Sequence, residues 1–165
     1  QGYQQSSGMG LKNFYFRRAL RLLPALFVLM LFCVAYALII QPTDKATITL
    51  KGVLYTLFYV ANWAQVPPYG AIGALSHAWS LSVEEQFYIL WPLLLLVLLR
   101  IKSKSVVLAI LFLLITVSVA ISVVLWQTQV PYLRMYFGSD TRAHELLIGC
   151  VAAMLVSRGS FREKI

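Results

Sequence analysis

Acidic residues are scarce in this 165-residue chain. It has six Asp and Glu against fourteen Lys and Arg, and charged residues make up only 12% of the whole. Hydrophobic residues make up 60%, and the mean hydropathy is +0.77. A soluble domain of this size does not carry so much apolar surface. The composition therefore excludes a soluble domain and indicates an integral membrane protein.

Cysteine is scarce as well. The basic residues also form no face interleaved with aromatic residues that could stack on bases, as a nucleic-acid-binding surface would. The only cysteines, Cys33 and Cys150, lie inside apolar runs, which does not favour a disulfide, and no metal-ligand spacing is present. We therefore expect no metal site and no bound cofactor. The net charge of +8 comes mostly from residues at the ends of apolar runs, as the positive-inside rule predicts. We expect no nucleic-acid partner.

Long apolar runs recur along the chain and predict helices that cross the bilayer, which takes about 20 residues per helix. Four runs are expected to span it: one ending near residue 40, one ending near residue 100, residues 106–126, and one beginning near residue 139. The predicted fold class is all-α, a polytopic transmembrane helix bundle forming one membrane domain over residues 1–165. Residues 1–13 are rich in Gln, Ser and Gly and are expected to form a loop.

Basic residues form three clusters that bound these runs. The clusters are Arg17, Arg18 and Arg21; Arg100, Lys102 and Lys104; and Arg158, Arg162 and Lys164. If all three lie on the cytoplasmic side, an even number of helices must cross between successive clusters. The short apolar segment at residues 52–63 would make that number odd. We therefore expect this segment to be re-entrant or interfacial.

Polar residues interrupt the apolar pattern most strongly at residues 76–91, which read SHAWSLSVEEQFYILW. Wound as a helix, this stretch places polar residues on two opposite sides. One side carries His77, Ser80, Glu84, Tyr88 and Trp91, and the other carries Trp79, Ser82 and Gln86. Hydrocarbon cannot form hydrogen bonds with polar groups, so this helix is expected to be enclosed by protein or to line a wet cavity.

Two interpretations of the adjacent glutamates remain open. Ser82 and Glu85 have the spacing of a capping box, which would mark a helix start and would tolerate Gln in place of Glu85. That interpretation does not explain why Glu84, His77 and Ser80 share a side. An ionisable residue at membrane depth is a functional-site hypothesis by default.

The first basic cluster also has two interpretations. Arginines at the start of an apolar run anchor a helix at the cytoplasmic membrane surface. Arg18 and Arg21 are also three residues apart, so their guanidinium groups can converge on one anion.

Three motifs stand in order along the chain: FYFRRALRLLPAL, SHAWSLSVEEQFYILWP and YFGSDTRAHELLIGCVAAML. Together they resemble the acyltransferase 3 family of bacterial inner-membrane proteins, which includes O-acetyltransferases of O-antigen and other polysaccharides. The resemblance covers nearly the whole chain, and the central motif is its most specific part. It implies that the chain is an internal piece of a larger acyltransferase 3 domain, without the upstream and C-terminal helices of that domain.

The resemblance implies an activity and a location. The family transfers an acyl group, usually acetyl, from cytoplasmic acyl-CoA to a hydroxyl of a cell-surface carbohydrate, such as O-antigen of lipopolysaccharide or an exopolysaccharide. The expected partners are therefore acyl-CoA, with acetyl-CoA as the usual donor, a glycan or lipid-linked glycan acceptor, and membrane lipid. The expected location is the bacterial inner membrane.

The resemblance also assigns residues. The family's RxxR-type motif, which engages the acyl donor, matches Arg18 and Arg21, with Arg17 adjacent. The other two motifs match Trp79, Ser80, Glu84 and Glu85, and Asp140, Thr141, Arg142 and Glu145. The sequence departs from the family in one respect. The family's catalytic histidine lies in a helix upstream of the arginine motif, whereas His77 and His144 of this chain both lie downstream of that motif. The general base is therefore expected outside these residues, although the side chain of His77 has suitable chemistry.

Acyl transfer from a thioester needs a held donor, a stabilised oxyanion and an activated hydroxyl. The arginine cluster would hold the donor, and Ser80 and Trp79 could donate hydrogen bonds. Glu84 could orient a histidine or accept a hydrogen bond from a sugar hydroxyl. For Arg142 and Glu145, a substrate-binding role and a simple ion pair are both open.

Two other functions fit parts of the pattern. A transporter or channel segment would use Glu84 as a buried proton or ion site. A non-catalytic membrane scaffold would need none of the polar residues. The arginine cluster followed by the WSLSVEEQF sequence favours the enzyme.

Overall fold

The computed structural model describes residues 7–68, 70 and 72–156. Within these residues it contains α-helices and one 3₁₀ helix but no β-strand, so the predicted all-α class is confirmed. The elements in chain order are α1 (Ser7–Ile39), α2 (Thr43–Leu57), α3 (Ala61–Ala64), the 3₁₀ helix (Gly73–Ala78), α4 (Trp79–Leu98), α5 (Lys104–Gln127), α6 (Tyr132–Phe137) and α7 (Ser139–Val156).

Three segments of the described chain are long and apolar enough to cross a bilayer. They are Leu11–Ile39, Gly73–Leu98 and Lys104–Gln127. The fourth expected span corresponds to α7, which is not among them. The first two turns of α7 carry Asp140, Arg142 and Glu145, and such charges are costly in hydrocarbon. The third basic cluster lies outside the described residues.

The first helix begins earlier than the composition predicts. Residues 7–13, expected as loop, form the first turns of α1, and residues 1–6 lie outside the described residues. Gly8 and Gly10 each disfavour a helix by about 1 kcal/mol. Adding turns to an existing helix avoids the cost of nucleation, so the long apolar run that follows can extend the helix back through them.

The segment at residues 52–63 is part of a longer helical unit. Helix α2 begins at Thr43, so the polar connection before residue 52 is helical too, and α2 is not among the candidate spans. It packs against α1 and the 3₁₀ helix. Gly52 makes the second contact possible, because a Cβ there would lie 2.2 Å from the carbonyl oxygen of Ile72. The expectation that this segment is re-entrant or interfacial stays a prediction.

The capping-box interpretation of Ser82 is wrong. Helix α4 begins at Trp79, directly after the 3₁₀ helix, and its N-cap residue Ala78 offers no side-chain hydrogen bond. Ser82 therefore lies inside the helix, where its hydroxyl donates to the carbonyl of Ala78 at 3.2 Å. This back-bonding is the usual choice for a buried serine in a helix interior.

Helices α5 and α7 form the most extensive helix contact in the described chain. Their buried residues, including Leu111 and Leu147, share one apolar cluster with Leu98 at the end of α4. Ser118 of α5 contacts the start of α7, and Val107 lies in the same cluster as Met154 near its end, so the two helices run antiparallel. This core holds α7 beside α4.

Labelling of single cysteines tests how α5 crosses the membrane. In full-length protein lacking Cys33 and Cys150, Ser103→Cys is expected to react with an impermeant maleimide from the cytoplasmic side. Gln127→Cys is expected to react from the opposite side, because the helix between them is roughly 36 Å long. Reaction of both positions from the same side would contradict this topology.

Candidate functional site

An ion pair joins α1 to α4. The Nε of Arg18 donates to Oε2 of Glu85 at 3.1 Å, and its Nη2 donates to Oε1. Glu85 is only 6% exposed. The guanidinium also lies over the ring of Tyr88, 3.3 Å from its centroid. A carboxylate so deeply buried needs a paired, hydrogen-bonded cation, and Arg18 supplies one.

Both partners of this pair lie inside candidate spans. Glu85 is halfway along the span Gly73–Leu98, and Arg18 lies inside the span Leu11–Ile39. The hydroxyl of Tyr15 donates to the carbonyl of Ile89 at 3.0 Å, so α1 and α4 run antiparallel here. A surface anchor alone does not account for Arg18, because its guanidinium is bound to Glu85 of another helix. Two of its N–H groups are committed to Glu85, which limits its convergence with Arg21 on an anion.

A cavity of about 820 Å³ opens beside the ion pair, and we call it the arginine cavity. Its lining residues are Phe14, Arg17, Arg18, Leu20, Arg21, Leu22, Glu84 and Tyr88. The side chains of Arg17, Arg21 and Glu84 are exposed. Because Arg18 is paired with Glu85, the charges left at this cavity are those of Arg17 and Arg21 against Glu84, so the cavity is electropositive and suits an anionic ligand.

A smaller cavity of about 120 Å³ lies between α4 and α7, and we call it the α7 cavity. Its lining residues are Trp79, Ser80, Val83, Glu84, Arg142, Glu145 and Leu146. The structure thus brings together residues of the second and third motifs. Glu84 borders both cavities, so one carboxylate separates the arginine cluster from Trp79, Ser80 and Arg142.

Arg142 is held by several contacts at the edge of the α7 cavity. Its Nε donates to the carbonyl of Tyr136 at 3.1 Å, and its Nη1 donates to Oε1 of Glu145 at 2.5 Å. The guanidinium also lies 4.8 Å from the ring centroid of Tyr136 and 5.8 Å from that of Trp79. The ion pair expected from the spacing is therefore formed, and it forms part of the cavity wall.

His77 does not share a cavity with Glu84. It lies in the 3₁₀ helix, is exposed, and lines neither cavity that Glu84 borders. The expectation assumed one continuous α-helix. The 3₁₀ helix ends at Ala78 and α4 begins at Trp79, so a single α-helical wheel does not extend back to His77.

Three polar residues that the sequence did not assign form a buried ring of hydrogen bonds. Gln86 Nε2 donates to Asn62 Oδ1 at 3.0 Å, Asn62 Nδ2 donates to Ser139 Oγ at 2.9 Å, and Ser139 Oγ donates to Gln86 Oε1. The second hydrogen of each amide goes to a backbone carbonyl, that of Tyr59 at 2.6 Å and that of Phe137 at 2.9 Å. The ring ties α3, α4 and α7 together beside the site.

Only part of this ring had a signal in the sequence. Gln86 stands out as polar within an apolar run, and Asn62 interrupts the segment at residues 52–63, where a polar side chain needs a partner. Nothing local distinguishes Ser139. In the part of the chain that the structure describes, no cluster of His, Cys, Asp and Glu could hold a metal ion.

Asp140 of the third motif has a structural partner. Arg134 Nη1 donates to its Oδ1 at 2.9 Å, and Nη2 donates to its Oδ2 at 2.6 Å. Burial acts to raise the pKa of Asp140, but the hydrogen bonds and charge of Arg134 outweigh it, so the pKa lies below its ordinary value. Asp140 therefore stays ionised and fixes the turn that leads into α7.

Comparison with known proteins establishes the class of protein. A family model described as "Acyltransferase domain" matches residues 3–164. The chain belongs to this acyltransferase family, as its motifs predicted, and it is an integral membrane protein.

Several curated relatives are O-acetyltransferases. The chain is similar to peptidoglycan O-acetyltransferase OatA of Listeria monocytogenes, with 33% identity over 162 residues. It is 34% identical over 163 residues to putative peptidoglycan O-acetyltransferase YrhL of Bacillus subtilis, and 35% identical over 160 residues to O-acetyltransferase OatA of Staphylococcus aureus. Each alignment covers 93% of this chain, but the chain spans only about a quarter of each relative (26%, 25% and 26%). No solved structure matches the chain.

Proposed function

We propose that the chain is part of a membrane O-acyltransferase that moves an acetyl group from acetyl-CoA to a hydroxyl of a cell-surface glycan. The observation that carries this proposal is the position of Glu84. Its carboxylate borders an electropositive cavity on one side and, on the other, a cavity with hydrogen-bond donors. An acyl transfer site needs such a junction, where an anionic donor meets a neutral hydroxyl.

The arginine cavity is the proposed donor site. Its volume of about 820 Å³ lies within the usual range of ligand pockets, about 300–1,000 Å³. Arg17 and Arg21 present exposed guanidinium groups to it, and a guanidinium binds a phosphate oxygen pair with two parallel hydrogen bonds. Arg18 has the different role of neutralising Glu85 and shaping the wall.

The proposed reaction joins the two cavities at Glu84. The acceptor hydroxyl oxygen attacks the thioester carbonyl carbon, the C–S bond breaks, and the thiolate of coenzyme A leaves and takes up a proton. Trp79 and Ser80 are placed to donate hydrogen bonds to the oxyanion, and Glu84 to position the hydroxyl or the base that takes its proton. The resemblance assigns that base to a histidine upstream of these residues.

Peptidoglycan is the proposed acceptor. Two of the relatives are named as peptidoglycan O-acetyltransferases, one of them putative, which favours peptidoglycan over the O-antigen, lipopolysaccharide or exopolysaccharide that the motifs alone suggested. The proposed location is accordingly the bacterial cell membrane, facing its wall. Growth of cells with labelled acetate, with and without the full-length gene, tests this. Label in purified peptidoglycan should depend on the gene. Ion or proton flux without labelling would favour the transporter instead.

Loss of either exposed arginine is expected to weaken donor binding. In full-length protein, Arg17→Ala and Arg21→Ala should each raise the Kd for acetyl-CoA. A lost charge-assisted hydrogen bond costs about 1.5–3 kcal/mol, or roughly 10- to 150-fold. Lys should rescue only partly, because an ammonium cannot form the two parallel bonds. Equilibrium binding in detergent measures the effect.

The matched control for this prediction is Arg100→Ala, which removes a basic residue from another cluster and should leave the Kd unchanged. The alternative role of the arginines as a membrane anchor makes the opposite prediction. It would be favoured if the alanine variants bound acetyl-CoA normally but inserted poorly into the membrane.

A further inference from the structure

A third cavity, which the proposed function does not use, lies between α5, α6 and α7. Its volume is about 340 Å³. The residues of α5 that line it over more than two turns are Val119, Ser122, Val123, Trp126 and Gln127, and Met135 and His144 complete the wall. We call it the His144 groove. At 100° per residue, His144 lies about 160° around α7 from Arg142. The groove and the α7 cavity share no lining residue, so they are separate.

The hydrogen bonds around Ser118 fix the state of His144. The single hydroxyl hydrogen of Ser118 is donated to the carbonyl of Asp140 at 2.5 Å. The same oxygen accepts the backbone N–H of His144 at 3.2 Å and lies 3.3 Å from its Nδ1. With its hydrogen in use, Ser118 can only accept from the ring, so Nδ1 carries the proton. In the neutral imidazole, Nε2 is then left as a hydrogen-bond acceptor.

The groove runs toward one end of the span that α5 forms. Ser118 lies near the middle of the span Lys104–Gln127, and the groove follows α5 from there toward Gln127. That end of the span is opposite the basic cluster at Arg100 to Lys104. An imidazole acceptor thus lies at the inner end of a groove that opens on the side expected to face the cell wall. Among the described residues His144 has no ion-pair partner, and a polar acceptor inside a membrane domain is a functional-site hypothesis by default.

We propose that the His144 groove binds a carbohydrate, with Nε2 of His144 accepting a hydrogen bond from one sugar hydroxyl. The groove combines the features that a sugar needs: an aromatic side chain, Trp126, for the apolar face of the ring, and an amide, Gln127, beside an imidazole acceptor for its hydroxyls. A lipid tail has no hydrogen to donate to Nε2. This inference rests on the proposed function, because it supplies a binding site for its glycan acceptor.

Chemical protection tests the inference without measuring acyl transfer. Full-length protein in detergent is treated with diethyl pyrocarbonate, which modifies neutral imidazole nitrogen, and modification of each histidine is followed by mass spectrometry of peptides. A purified muropeptide, the disaccharide-peptide unit of peptidoglycan, should slow modification of His144. Acetyl-CoA should not slow it. Exposed His77 serves as the internal reference and should react equally in all samples.

Two variants separate binding from structure. His144→Asn keeps a donor near the Nδ1 position for Ser118 but removes the acceptor at Nε2. His144→Gln reaches the Nε2 position but loses the donor to Ser118. We expect the Asn variant to lose muropeptide affinity by roughly 2- to 12-fold, the range for one neutral hydrogen bond, with its melting temperature nearly unchanged. The Gln variant should keep more of the affinity and melt at a lower temperature.

Three outcomes would overturn the proposal. They are protection of His144 by acetyl-CoA or by phospholipid but not by muropeptide, no protection by any of the three, and full muropeptide affinity in the Asn variant. The proposed function fails separately, if peptidoglycan labelling does not depend on the gene while muropeptide still protects His144.

Discussion

Glu85→Ala is expected to destabilise the full-length protein by about 3–5 kcal/mol, the usual cost of removing one partner of a buried ion pair. The carboxylate is 6% exposed and accepts two hydrogen bonds from Arg18, so its loss leaves a guanidinium without its counter-charge at membrane depth. The melting temperature in detergent should fall sharply. Glu85→Gln should fall less far, since an amide oxygen still accepts one hydrogen bond.

Two further variants make this first prediction sharp. Glu145→Ala removes the carboxylate of an exposed i,i+3 pair on α7, and such pairs contribute only about 0.2–0.5 kcal/mol. The double variant Arg18→Ala/Glu85→Ala should be less destabilised than the two single losses added together, because no unpaired charge remains. Equal melting temperatures for Glu85→Ala and Glu145→Ala would show that the pair does not support the fold.

Glu84→Gln is expected to abolish most acetyl transfer while leaving the protein folded. Its carboxylate is exposed and borders both cavities, so it has no structural partner of the kind that Glu85 has. Groups positioned for proton transfer contribute about 10²–10⁴-fold in rate, and a carboxylate that positions the base or the hydroxyl acts on the same step. The initial rate of acetyl transfer by full-length protein measures the loss.

The neighbouring carboxylates serve as controls for each other. Glu84→Gln should lower the rate at an unchanged melting temperature, and the Glu85 variants should lower the melting temperature. An active Glu84→Gln enzyme would remove this residue from the site. The sequence alone suggested that Glu85→Gln would be mild because a capping box accepts Gln, and the pair with Arg18 removes that reason.

Sequence reasoning succeeded where the signal is local and strong. Long apolar runs predicted the three spans, and the polar interruption at residues 76–91 led to the helix that carries Glu84. It failed where a neighbour in space decides the outcome. The role of Arg18 depends on its pairing with Glu85, which lies 67 residues away and on a different helix. No periodicity along α1 contains that information.

The start of α4 shows a second kind of failure. Ser82 and Glu85 satisfy the capping-box pattern, but the chain had already entered the helix at Trp79 through the 3₁₀ turn. His77 lies in that turn and lines neither cavity that Glu84 borders. The side-chain grouping from Ser80 onward was unaffected.

The ring of Gln86, Asn62 and Ser139 has a consequence for recombination within the family. Each side chain donates to the next around the ring, so the orientation of each amide and of the Ser139 hydroxyl depends on the other two side chains. The three residues come from segments far apart in the chain, yet together they set the position of α7, and with it Arg142, relative to Glu84. A chimera with a relative should therefore inherit all three segments from one parent. A crossover between two of these segments would place hydrogen-bond donors opposite donors inside the ring. It would also misalign the α4 and α7 walls of the α7 cavity.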